Sequence, residues 1–258
     1  MRVVLKIMEP ERFFVPHIQA GGCELPVDEA HHARHVLRLK TGDTVTVFDG
    51  RGHWAAAEIE LVGGSAVRVH CSAVQESKRL GTRLTLATAV PKLDRADFLV
   101  EAASQLNVDT IQWVECQRSV VRPEGQGKKM EKWRRLAIES AKQCGRHHLL
   151  RIEPMLPVAK VLKTLDRSNA MWADTRAEFT LDGAWADWKK TKGSENSPSA
   201  PGLTVFIGPE GGWTDTESQM FRDGGAVGVR LGLNILRIEI AAMAAAAVIS
   251  CGAANDHK

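Results

Sequence analysis

Residues 203–241 constrain the fold most, because one arrangement is written there twice. The apolar run Leu203–Ile207 stops at Gly208-Pro209-Glu210-Gly211-Gly212, and a polar helical segment follows. A second apolar run, residues 227–231, stops at Gly232, and an almost wholly apolar helical segment follows. Branched and aromatic residues ending abruptly at Gly-Pro predict a buried strand. Thr214, with Glu217 three residues on, predicts a capping box at the start of the first helix. A helix apolar on nearly all sides must be buried, either in the core or against another subunit. Two loops at the carboxyl ends of neighbouring strands are where open α/β sheets bind ligands.

Gly208, Gly211 and Gly212 remove side chains, so a ligand can approach bare backbone. Phosphate is the first ligand to consider for a glycine loop before a helix. No Lys-Ser or Lys-Thr follows the glycines, however, and the dinucleotide fingerprint is absent. Glu210 would repel a phosphate. A carboxylate beside bare backbone suits a ligand carrying an amine, hydroxyls or a sulfonium. A cofactor loop and a tight structural turn both fit this composition.

At 258 residues the chain is one large or two ordinary domains, with 44% hydrophobic and 25% charged residues, as in globular proteins. A net charge of +3 is compatible with RNA. No run of 18 apolar residues occurs; the longest, 238–250, contains Glu239 and is too short to span a membrane. The amino terminus lacks a signal-peptide pattern. Five scattered cysteines without a C-x-x-C spacing predict a reduced, cytoplasmic protein. His31, His32 and His35 share a short segment, but packing or RNA contact explains them without a metal.

The first 75 residues read as a small β module: Thr44–Phe48 before the Asp49-Gly50 turn, then 54–61 and Ala66–Cys71. The polar segment 75–83 is the expected boundary. From residue 84, strands at 84–90, 110–116, 148–154 and 169–173 alternate with helices starting near 94 and at 128–143 and 179–188. That alternation predicts a mostly parallel sheet with helices on both faces. Residues 193–202 read as a surface loop.

The ordered motifs resemble the RsmE family of 16S ribosomal RNA uridine-N3 methyltransferases, of the SPOUT class. The matching segments are 35–50, 92–97 (KLDRAD), 105–108 (QLNV), 118–121 (RSVV), 139–146 (ESAKQCGR), GPEGG at 208–212, Leu231-Gly232 and Ile235-Leu236-Arg237. The resemblance spans nearly the whole chain. It implies a PUA-like β-barrel that helps hold RNA in residues 1–75. It also implies an α/β SPOUT methyltransferase domain with a trefoil knot in residues 84–258. S-adenosylmethionine is the implied cofactor, held by Gly208, Glu210, Gly211, Gly212, Leu231, Gly232, Ile235 and Leu236. Arg12, Lys92, Arg95, Arg118, Arg122 and Arg146 are the expected RNA contacts, each with a solvated charge face as the alternative. The implied partners are 16S rRNA or the small ribosomal subunit and a second copy of the chain, with core packing as the alternative for the apolar helix.

The implied reaction methylates N3 of a uridine in the decoding region. Arg237 is the candidate for stabilising charge on the base, with a salt bridge to Glu210 or Glu239 as its alternative. Glu239 is a weaker candidate for a general base. The chain departs from the family at Ile238 and Ile240, where Thr is usual, and at Asn234, where Arg is usual. Those departures keep open a rival: an RNA-binding ribosome-assembly protein with the same fold and weak or no methyl transfer. A nucleotide-binding α/β enzyme is opposed by Glu210 and the missing Lys.

Overall fold

The computed structural model describes residues 10–63, 66–79, 81–92, 94–119, 121, 126–192 and 201–254. Arg122 and most of the expected 193–202 loop therefore lie outside the described residues. The chain divides into two compact units: one of residues 1–79 with 141–149, the other of residues 80–140 with 150–258. Sequence reading leaves 141–149 in the second domain; the fold assigns this segment to the first.

The first unit comprises β1 (Glu11–Phe14), β2 (Gly21–Glu24), α1 (Val27–His31), β3 (Thr44–Phe48), β4 (His53–Gly63), β5 (Ala66–Cys71) and β6 (Gln75–Glu76). They form a sheet in the order β1-β3-β4-β5-β2, with β6 on β4; every pairing but β1 with β3 is antiparallel. Alternation in β3 to β5 turns Val45, Val47, Ala55, Ile59, Val67 and Val69 into a core of their own. The Asp49-Gly50 turn forms as its residues require: Asp49 Oδ1 accepts from the amides of Arg51 at 2.7 Å and His53 at 3.1 Å, while Gly50 has φ of 72°.

The second unit comprises β7 (Leu84–Thr88), α2 (Arg95–Gln105), β8 (Thr110–Glu115), α3 (Gln126–Cys144, whose last residues belong to the first unit), β9 (Arg151–Pro157) and α4 (Val158–Thr164). Then come β10 (Ala170–Ala173), β11 (Phe179–Thr180), α5 (Leu181–Lys192), β12 (Leu203–Ile207), α6 (Asp215–Asp223), β13 (Val227–Arg230) and α7 (Ile238–Ala254). The seven strands run in the order β11-β13-β10-β12-β7-β8-β9, and all their pairings are parallel. Parallel strands are covered on both faces, and β12 is accordingly buried at all five positions.

One feature differs from the sequence expectation, and a second decides between its alternatives. The strands of the doubled unit are not neighbours, because β10 lies between β12 and β13. The apolar helix α7 buries Ala241, Ala242, Ala245, Ala246 and Ile249 in its own unit's core, against α2, β7, β12 and α5. Ile240 and Val248 stay exposed on it. No helix among the described residues is long and apolar enough to cross a membrane.

Candidate functional site

All strands of the second sheet point their carboxyl ends to one edge, and the loops leaving β8, β10, β12 and β13 meet there. They line a cavity of about 520 Å³, within the range of small-molecule sites. Sequence reading supplies two of its walls: 207–213 after β12, and 229–238 running into α7. The third wall, Ala173 to Arg176, is not among its expectations; because β10 sits between the other two strands, its loop enters between theirs. An Asp-Thr-Arg sequence directly after an apolar strand is the one local signal of it.

The glycine loop is held from several directions. Gly212 N donates to Pro209 O at 2.8 Å, closing the turn, and Gly212 has φ of 68°. A Cβ on Gly208 would lie 2.9 Å from Cε2 of Trp213, so the glycine lets that ring pack beneath the loop. Trp213 Nε1 donates to Ala173 O at 2.9 Å, tying this wall to the β10 wall. Arg118, expected to contact RNA, lines the cavity and donates from Nη1 to Gly211 O at 3.0 Å and Trp213 O at 3.2 Å.

The capping box is present. The Glu217 amide donates to Thr214 Oγ1 at 3.2 Å, and the Thr214 amide donates to Glu217 Oε2 at 2.9 Å. Glu217 is only 3% exposed, and its other oxygen accepts from the Gln117 amide at 2.9 Å. The helix cap thus also anchors the loop after β8. Nearby, burial and then the Glu217 carboxylate push the Cys116 thiol up to about 12.

The expected cofactor residues Gly208, Glu210, Gly211, Gly212, Leu231, Gly232, Ile235 and Leu236 all line this cavity, as does Arg237. Arg237 is exposed and makes no side-chain ion pair among the described residues, with Glu210 or otherwise. Glu239 is buried, faces Arg95 Nε at 3.7 Å, and is absent from the lining. Of the three departures named above, Ile238 is 3% exposed and lines the cavity, while Ile240 does not line it. Asn234 does. The charged lining is mixed: Arg118, Arg176, Arg230 and Arg237 against Asp174, Glu210 and Asp215. Asp174 accepts from Nε and Nη2 of Arg176, each at 3.3 Å, and from its amide at 2.9 Å. Such a site suits a ligand that carries charges of both signs rather than a polyphosphate.

The other expected RNA contacts are dispersed. Lys92 is exposed in the loop after β7, on the same sheet edge. Arg95 opens α2. In the first unit, the Arg12 guanidinium lies 5.4 Å over the Phe48 ring, and Arg146 is half-buried. His147 stacks on Trp54 there, with ring centroids 5.2 Å apart. His31 and His35 pack ring to ring at 4.6 Å, and no group of three or more His, Cys, Asp or Glu among the described residues is placed to hold a metal.

The sequence matches the family described as "RNA methyltransferase domain" over residues 78–250, and "RNA methyltransferase PUA domain" over residues 25–70. It is 29% identical to the ribosomal RNA small subunit methyltransferase E of Synechocystis, over 88% of this chain and 72% of that protein. Two solved structures are also similar. A Legionella pneumophila protein solved in complex with the bound cofactor SAM has a TM-score of 0.82 at 26% identity, covering 95% of this chain and 98% of that one. The ribosomal RNA small subunit methyltransferase E of Neisseria gonorrhoeae, bound to S-adenosyl methionine, has a TM-score of 0.80 at 26% identity, covering 94% and 98%.

Proposed function

The chain belongs to the RNA methyltransferase domain family, and on that premise we propose that it methylates N3 of a uridine in the decoding region of 16S ribosomal RNA, with S-adenosylmethionine as donor. The observation that carries this reading is the three-walled cavity, in which glycine backbone, four arginines and three carboxylates converge. S-adenosylmethionine combines a sulfonium, an amine, a carboxylate and ribose hydroxyls, which matches that mixture. When bound, it supplies an electrophilic methyl group.

The backbone of 208–212 and 231–236 would hold the cofactor, with Glu210 and Asp174 receiving its amine or hydroxyls. A Cβ on Gly208 would collide with Trp213, and one on Gly211 would press on Cβ of Arg118 at 3.1 Å, so bare backbone lets both side chains pack against the loop. Uridine N3 must lose its proton as it is methylated, which places negative charge on O2 and O4. Arg237, on the cavity and without a carboxylate partner among the described residues, would stabilise that charge. Glu239 is absent from the cavity lining and faces Arg95 Nε at 3.7 Å, which favours positioning and charge stabilisation over a general base for the step. The target base would be splayed out of its stack to reach the site.

The same reading places the protein with 16S rRNA or the small ribosomal subunit in the cytoplasm, as a homodimer with the threaded carboxyl-terminal knot of the SPOUT class. Leu233, 96% exposed, and Ile235, 84% exposed, are apolar surface that a second copy would cover. Ile238 at the cavity favours one alternative, an RNA-binding ribosome-assembly protein with the same fold and weak or no methyl transfer.

Calorimetric titration with S-adenosylmethionine separates the two. One site per chain at micromolar order, about −8 kcal/mol, is expected; no binding by calorimetry and by a second, heat-independent method would favour the assembly protein.

A further inference from the structure

Helix α3 carries charge that the cavity does not use. Trp133, Ala137 and Ser140 are buried and fix one side of it against protein. At 3.6 residues per turn, Lys128 and Arg135 fall on the opposite side beside Glu131, Lys132 and Arg134 lie on its two flanks, and Lys129, one turn before Trp133, projects at the margin of the buried side. Residues 128–135 hold five Lys or Arg and one carboxylate, Glu131, and all six side chains are exposed. Lys132 is paired with Asp97 of α2. Lys128, Lys129, Arg134 and Arg135 have no ion-pair partner among the described residues.

The placement matters as much as the charge. β8 ends at the cavity edge, where Arg118 enters the lining. A helix that returns along a parallel sheet starts at that edge, so Lys128 and Lys129 lie towards the cavity end of α3. Glu139 closes the basic face further down the helix. No exposed large hydrophobic residue among those described falls within α3. A protein partner would want a buried apolar anchor; a polyanion needs only cations.

We infer that this face of α3 is a docking surface for the phosphate backbone of the RNA substrate, engaging a segment that flanks the nucleotide in the cavity. The inference rests on the methyltransferase reading above and names an RNA-binding surface beyond it. Phosphate binding of this kind fixes register and orientation without reading bases.

The test uses the full chain and unmodified 16S rRNA made by transcription, with binding followed across a salt series. Replacing Lys128, Lys129, Arg134 and Arg135 together by Ala should weaken binding about tenfold or more at about 0.1 M salt. It should make the slope of log affinity against log salt shallower by roughly 2–3, at about 0.7 for each phosphate no longer neutralised. Affinity for S-adenosylmethionine and thermal melting should stay at the parent values. The charge-conserving set K128R/K129R/R134K/R135K should bind as the parent does. Unchanged affinity and slope in the alanine set would reduce the face to a solvated one. Equal weakening in the charge-conserving set would overturn the charge mechanism. If the parent itself binds neither the free rRNA nor small ribosomal subunits that lack the modification, the methyltransferase reading falls and this surface falls with it.

Discussion

Arg118 Nη1 and the carbonyl oxygen of Gly211 are 3.0 Å apart, although 93 residues separate them in the chain. The same nitrogen reaches Trp213 O. A cation from the loop after β8 therefore sets the shape of the glycine loop after β12. Arg118→Ala should weaken S-adenosylmethionine binding about tenfold, since hydrogen bonds from a charged group contribute about 1.5–3 kcal/mol. Arg118→Lys, which keeps the charge and a nitrogen with several donors on a shorter side chain, should fall between. Calorimetric titration of both variants measures this; parent affinity in Arg118→Ala would mean the loop holds itself.

Glu217 binds two loops at once, accepting from Thr214 and from Gln117 in a nearly dry setting. Glu217→Ala leaves the Gln117 amide without its acceptor and removes half of the capping box. A loss of about 2–3 kcal/mol in unfolding free energy is expected, read by denaturant unfolding. A change below about 0.5 kcal/mol, the range of ordinary surface substitutions, would show that the box is ornamental.

The glycines differ in what they do. Gly208→Ala drives a methyl into Trp213, whose ring is held by Ala173 O and by Phe221 at 4.9 Å. It should cost about 1–3 kcal/mol of stability and lower cofactor affinity. Gly232→Ala meets nothing within 4 Å and should leave melting unchanged. Thermal melts of the pair decide; equal effects would contradict the packing account.

The glycine frame is legible in the sequence in full, because it is local. Leu203–Ile207 ends at Gly208, and the Thr214–Glu217 box needs only a three-residue spacing. The Thr44–Phe48 and Ala66–Cys71 strands are likewise as expected, since period-two alternation fixes them. The third cavity wall is hidden, because periodicity does not say that β10 lies between β12 and β13. The role of Arg118 is hidden for the same reason, its partners being non-local. The strand expected at 148–154 starts at Arg151, because 148 and 149 pair with the Asp49-Gly50 turn region instead. Most of the apolar surface of α7 is used within its own unit, which leaves less of it for a second copy to cover.

His147 is the acid-sensitive point of the first unit. Burial, then the Arg12 cation and then His148, lower it from 6.5 to about 4. Between those values the unfolded chain binds a proton that the folded chain refuses. Stability is therefore at its full value above pH 6.5 and declines as pH falls towards 4. His147→Phe, which keeps a ring on Trp54, should flatten this part of the stability profile. Melts across that range test it; an identical decline in the variant would assign the acid sensitivity elsewhere.

The most direct test of the central claim is methyl transfer itself. Parent protein and Arg237→Ala are incubated with S-adenosylmethionine and unmodified 16S rRNA, both free and within small ribosomal subunits, and the product is digested and its nucleosides identified by mass spectrometry. The expected product is one 3-methyluridine per rRNA, mapping to the decoding region, with near-loss in Arg237→Ala while that variant still binds the cofactor. No methylation by a parent protein that binds S-adenosylmethionine, or methylation of a different nucleoside, would contradict it.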